Sequence, residues 1–196
     1  MADYPVRKNT RLKNYDYGTP GAYFITVCTH NKENILSEIT YPYKKGIVGE
    51  GLCALPQTDT KEKTEHTDNT DEILGCLLNP CVILTEIGEV VRASIEFIGQ
   101  QNQDISVDKY VIMPNHIHLL LSVTDGDRTG GHGDPPLQIY DIIGRMKSYT
   151  TKIYGKTLWQ RSFHDRIIRN EKEYQEIYNY IEYNAWKWKE DCFYCG

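Results

Sequence analysis

The chain has 196 residues, 40% hydrophobic and 25% charged, with a formal net charge of −5. That length suits one domain with a sizeable core, here taken as 1–196, and the composition excludes a fibrous or low-complexity chain. No run of about 18 apolar residues is present, which argues against a membrane-spanning helix, and the opening MADYPVRKNTRLKN lacks the apolar stretch of a secretory signal, so a cytoplasmic location is expected.

The first fourteen residues carry Arg7, Lys8, Arg11 and Lys13 against Asp3. Gly18-Thr19-Pro20-Gly21 reads as a turn that leads into a strand over 22–29, AYFITVCT, rich in β-branched and aromatic residues. Residues 41–79 are polar and irregular and read as an inserted excursion. Its acidic groups Asp59, Glu62, Glu65, Asp68, Asp71 and Glu72 outnumber Lys61 and Lys63. Ile87, Val90, Val91, Ile95 and Ile98 have helical spacing, which predicts a helix over 85–99 with Thr85 as its N-cap.

A strand over 105–113, a Pro114-Asn115 turn and a strand over 116–123, HIHLLLSV, predict an antiparallel hairpin. Residues 125–136, DGDRTGGHGDPP, read as a flexible loop. A helix follows over 137–154, with Ile139, Ile142, Ile143, Met146 and Ile153 on one side. Residues 158–169 are irregular or a short strand. The last helix is expected over 171–189, opened by Asn170 with Glu173 three positions on. This order of elements predicts an α+β domain, an antiparallel sheet with its helices on one face.

The cysteines are Cys28, Cys53, Cys76, Cys81, Cys192 and Cys195. Cys192 and Cys195 supply only half of a four-thiolate zinc site, so reduced, scattered thiols are the preferred reading. The basic groups are segregated from the acidic excursion. Arg145, Lys147, Lys152, Lys156, Arg161, Arg166 and Arg169 face only Asp141 and Asp165 between 137 and 170. They form either a phosphate-binding face or a solvated surface.

His116 and His118 are two apart in a strand, so both imidazoles project from one face and can reach one divalent ion. Two imidazoles alone are an incomplete site, and a third ligand must come from elsewhere. On the last helix, Ile177, Ile181, Tyr174, Tyr178 and Trp188 fall on one stripe at about 100° per residue, and Tyr183 falls on the solvent side. Tyr180 sits at the border of that stripe with Asn184 one turn on. Such a tyrosine is either a rim aromatic or a nucleophile that reaches a site beside the core.

Pro114-Asn115-His116-Ile117-His118-Leu119-Leu120-Leu121 resembles the HUH motif of the single-tyrosine transposases, the REP-associated tyrosine transposases and their insertion-sequence relatives. Arg11-Leu12-Lys13-Asn14-Tyr15-Asp16-Tyr17 and Gly21-Ala22-Tyr23-Phe24-Ile25-Thr26 resemble that family's start. Leu158-Trp159-Gln160-Arg161-Ser162-Phe163-His164-Asp165 and Ile167-Ile168-Arg169-Asn170 resemble the segment before its last helix, and Tyr180-Ile181-Glu182-Tyr183-Asn184 resembles its catalytic helix.

The resemblance implies a ferredoxin-like or RRM-like palm with the HUH motif on a central strand. It implies an enzyme that nicks and rejoins single-stranded or hairpin DNA. His116, His118 and Asn184 would hold Mg²⁺ or Mn²⁺, and Tyr180 would take the 5′-phosphate. Arg11, Arg145, Lys147, Lys152, Arg161 and Arg169 are the candidate DNA contacts. The family leaves open a monomer or a homodimer, with Tyr180 acting in its own chain or its partner's. Many relatives carry Pro where this chain has Ala185, which allows the last helix to continue to Trp188. Two rival readings remain: a non-catalytic single-strand binding module on the same palm, and a metal-dependent phosphoesterase that uses water.

Overall fold

The computed structural model describes residues 19–41, 80–124 and 139–194. Arg11, most of the acidic excursion, the 125–136 loop, Cys53, Cys76 and Cys195 lie outside the described residues. The strands are β1 (Gly21–Cys28), β2 (Ser37–Thr40), β3 (Cys81–Leu84), β4 (Ile105–Ile112), β5 (His116–Val123) and β6 (His164–Ile168). The helices are α1 (Glu86–Gln101), α2 (Ile139–Tyr154) and α3 (Glu171–Glu182). No helix among the described residues is long and apolar enough to cross a membrane.

Four strands form one sheet in the order β4-β5-β1-β6, each pair antiparallel. With α1 and α2 as its crossovers, this is the βαββαβ arrangement of a ferredoxin-like palm. The strand that begins His116-Ile117-His118 lies inside the sheet, between β4 and β1. Register fixes its neighbours: Thr26 stands opposite His118 and Cys28 opposite His116.

Period-two alternation divides the sheet into two faces. Tyr23, Ile25, Val27, Ile117, Leu119 and Leu121 join Val91, Ile95, Ile142, Ile143 and Met146 of α1 and α2 in one core. Phe24 and Leu120 join Ile168, Ile177 and Ile181 in a second, under α3. The expectation of helices on a single face is thus corrected. α1 and α2 cover one face and α3 the other. The reason lies in HIHLLLSV, where all but Ser122 are buried. A strand apolar on both sides must be covered on both.

β2 and β3 were not foreseen. They pair antiparallel at the foot of the palm, where Ile35 and Leu36 N–H both donate to Pro114 O at 2.9 Å. Thr85 caps α1 as expected, its Oγ1 accepting from Gly88 N–H at 3.1 Å. A Cβ on Gly88 would lie 2.0 Å from Leu36 O, so only glycine permits this close approach. Asn170 caps α3 through Glu173 N–H at 2.9 Å.

Two further expectations are corrected. Ile153 is 54% exposed, and Thr150 occupies the buried position instead, accepting from Trp159 Nε1 at 2.8 Å. The last helix does not run to Lys189: it ends at Glu182, and a 3-10 segment follows over Asn184–Glu190. Tyr183 turns out of the helical region (φ −97°, ψ 12°), and Asn184, Ala185 and Trp188 are drawn into the interior. Tertiary packing here overrides the helix propensity of Ala185.

Candidate metal centre and tyrosine

β5 places His116 and His118 on the α3 side of the sheet, fully buried. Their Nε2 atoms face one another at 3.1 Å. Each Nδ1 is occupied on its outer side. His116 Nδ1 meets Asn115 Oδ1 at 2.9 Å, and His118 Nδ1 meets Thr26 Oγ1 at 2.8 Å. Asn115 is itself pinned, because its Nδ2 donates to Phe193 O at 2.8 Å and to Lys32 O at 3.3 Å. Its Oδ1 can therefore only accept, so His116 carries its proton on Nδ1 and turns an Nε2 lone pair inward.

Burial lowers the pKa of both imidazoles. Desolvation brings His116 down to about 4, against the opposing pull of Asp191, and pushes His118 well below its ordinary value, with His116 adding to the effect. Both rings are neutral at physiological pH. Phe24 stacks on His118 with centroids 5.0 Å apart, and Phe193 lies 4.6 Å from His116.

The third group is Asp191, which sequence reasoning missed. The 3-10 segment carries the chain back over the sheet, so that Asp191 Oδ2 lies 4.0 Å from His116 Nε2. One ligand atom from each of His116, His118 and Asp191 lies within 4.8 Å of the others. The Asp191 side chain is only 3% exposed. It accepts from Phe193 N–H at 2.7 Å and Asn184 Nδ2 at 3.4 Å. Asn184 is buried next to this group, and its Oδ1 has no partner among the described residues.

These residues fit a divalent cation. Two neutral imidazoles converge their Nε2 atoms beside a buried carboxylate, and neutral rings cannot balance its charge. Two imidazole nitrogens and one carboxylate oxygen form a donor set that first-row divalent ions accept with positions to spare.

α3 brings Tyr180 to the same place. Its Oη lies 3.3 Å from His118 Nε2 and 3.5 Å from Asp191 Oδ2. The side chain is 39% exposed, so the ring sits at the rim with its oxygen turned inward. Burial and the Asp191 charge push the phenol up to about 12, opposed by a hydrogen bond from Asn184. Tyr183 faces solvent and Tyr174 bonds Asp108 Oδ2 at 3.0 Å, both away from the histidines.

The basic residues are not gathered at the site. Arg145 lines a cavity of about 700 Å³ between α1 and α2 with Phe97, Ile142 and Tyr149, on the far face of the sheet. Lys152 is exposed on the same helix. Lys147 Nζ donates to Gln160 O at 2.7 Å and Arg161 O at 3.1 Å, and burial lowers its pKa. Arg161 stands nearer the histidines, since Gln160 N–H donates to Cys28 O opposite His116. Arg169 is exposed at the other end of β6. Cys28, Cys81 and Cys192 are free thiols.

No protein-family model matches the chain. An uncharacterised protein of Haemophilus influenzae is 28% identical over 207 residues, spanning 96% of this chain and 93% of that one. Among solved structures, the chain is similar to a REP-associated tyrosine transposase bound to a REP hairpin. The TM-score is 0.49 at 17% identity, covering 95% of this chain and 74% of the other. It is also similar to a Deinococcus radiodurans protein described as a transposase, with a TM-score of 0.35 at 15% identity, covering 88% and 95%.

Proposed function

We propose that the protein cuts and rejoins single-stranded or hairpin DNA through a phosphotyrosine on Tyr180, with Mg²⁺ or Mn²⁺ held by His116, His118 and Asp191 and with Asn184 beside them. The observation that carries this reading is the phenol oxygen of Tyr180, 3.3 Å from an imidazole nitrogen that faces a second imidazole and a buried carboxylate.

A divalent ion in this donor set supplies polarisation of a phosphodiester and offsets the charge that gathers on it during displacement. The chain does the rest. Asn115 and Thr26 hold the two rings by their outer nitrogens. Phe24 anchors the Tyr180 ring edge-on, with centroids 6.0 Å apart, so the nucleophile is positioned before substrate arrives. The Tyr180 oxygen bonds to phosphorus as the bond from phosphorus to the 3′ oxygen breaks. The phenolic proton is released to solvent, and the 3′ oxygen takes up a proton and departs as a hydroxyl. Asn184, beside the phenol, lowers its pKa and so favours its anionic form. Attack by a 3′-hydroxyl reverses the step and rejoins the strand.

Of the candidate DNA contacts, Arg161 has the placement to follow a strand into the site, while Arg145 and Lys152 would meet DNA only on the far face. Incubation with end-labelled single-stranded DNA and Mn²⁺, followed by a denaturing gel, tests the proposal. A protein-linked DNA band is expected. Free cut DNA alone would point to water as nucleophile, and uncut DNA to a binding module.

A further inference from the structure

Beside the histidines lies a cation that neither the sequence reading nor the proposed chemistry uses. After β1 the chain makes a 3-10 turn over His30–Lys32, and Asn31 (φ 53°) and Lys32 (φ 57°) both adopt the left-handed conformation. Asparagine tolerates that region, whereas lysine seldom visits it. Surrounding bonds enforce the turn. Lys32 N–H donates to Thr29 O at 3.2 Å, Thr29 Oγ1 donates to Glu33 O at 2.9 Å, and Asn115 Nδ2 donates to Lys32 O at 3.3 Å. Asn115 is the same side chain that orients His116.

The enforced turn carries the Lys32 ammonium to 5.4 Å from the centroid of Phe193, whose ring packs on His116. Lys32 is half-buried, and the contact given for its ammonium is the Phe193 ring. Its charge acts on His116, Cys28 and Cys192 together. A rarely populated backbone conformation that holds an ammonium against the site on an aromatic ring suits an anion that comes and goes.

We propose that Lys32 is a catalytic residue that binds a non-bridging oxygen of the scissile phosphate. This rests on the reading of Tyr180 as nucleophile and adds a second positive group to the same phosphate. Charge placed in advance where negative charge develops is the general way in which such a group accelerates displacement.

Two variants separate chemistry from fold. Lys32→Asn removes the charge and keeps a side chain that tolerates the left-handed turn, and Lys32→Arg keeps the charge. Binding of inorganic phosphate to the Mn²⁺-loaded full chain is read by the relaxation of its phosphorus resonance. Lys32→Asn is expected to weaken phosphate at least about tenfold, with Mn²⁺ affinity unchanged, melting temperature equal or slightly higher, and recovery in Lys32→Arg. Adduct formation on single-stranded DNA should fall about 100-fold in Lys32→Asn. Unchanged phosphate affinity in Lys32→Asn, or no phosphate binding by the wild-type protein, overturns the role of Lys32. A wild-type protein that binds phosphate through Lys32 yet forms no adduct overturns the nucleophile instead. A lower melting temperature with phosphate affinity intact would make Lys32 a structural residue and overturn the proposal.

Discussion

The phenol oxygen of Tyr180 and the Nε2 of His118, 3.3 Å apart, belong to one chain. On the proposed reading, the tyrosine of a chain acts with that same chain's imidazoles. Mixing His118→Ala protein with Tyr180→Phe protein should yield no adduct. A DNA-linked band restored by mixing, read on the same denaturing gel, would mean that α3 is exchanged between two copies.

Removal of the Tyr180 oxygen alone should abolish the adduct at little cost to the fold. Its hydrogen bonds are long, at 3.3 and 3.5 Å, whereas its ring packs edge-on against Phe24 and His118. Tyr180→Phe should change stability by less than about 1 kcal/mol. Tyr178→Phe and Tyr183→Phe should retain the adduct. Tyr174→Phe should retain it too, losing about 1 kcal/mol with its bond to Asp108. Loss of the adduct in any of these three controls, with Tyr180→Phe still active, would move the nucleophile.

Stability should fall with acid before ordinary carboxylates titrate. The folded state holds His116 at about 4, below the value near 6.5 of an unfolded chain. Between those limits the unfolded chain takes up a proton that the folded chain refuses. Stability is therefore full above pH 6.5 and is lost as pH falls toward 4, by roughly 3 kcal/mol for this group. His118, shifted the same way, adds to the slope. Urea melts in chelator across pH 4–7 should be shallower in pH dependence for His116→Asn than for the wild type. Equal slopes would refute this account.

Lys147 and Arg161 should separate in their effects. The Lys147 ammonium is committed to two carbonyls, so Lys147→Met should cost about 1–3 kcal/mol of stability and leave the salt dependence of DNA binding in place. Arg161→Gln should leave stability unchanged and reduce the magnitude of the salt slope by about one. The reverse pattern in melting and binding titrations would assign the DNA path to α2.

What the sequence makes legible follows from local periodicity. The pairing of His116 with His118, the hairpin that presents them and the rim position of Tyr180 all rest on repeats of two or four residues. Asp191 obeys no such repeat. It reaches the site because Tyr183 breaks the helix and the following 3-10 segment folds Trp188 and Phe193 around His116. Nothing local to Glu190-Asp191 announces that reversal. β2 and β3 escaped for another reason: each is four residues long, and their partners lie about forty residues apart. The second helical layer was within reach, since eight residues as apolar as HIHLLLSV cannot leave one face to water.

Thr40 and Cys81 face each other as the last register pair of β2 and β3. Their pairing holds positions 40 and 81 of the chain next to one another, whatever the number of residues between them. The entropy of closing such a loop grows only logarithmically, and halving its length changes stability by about 0.6 kcal/mol. Thr40 and Cys81 are thus a docking port in the engineering sense. Foreign sequence spliced between them is expected to cost little beyond its closure entropy, because the strand pairing holds both of its ends.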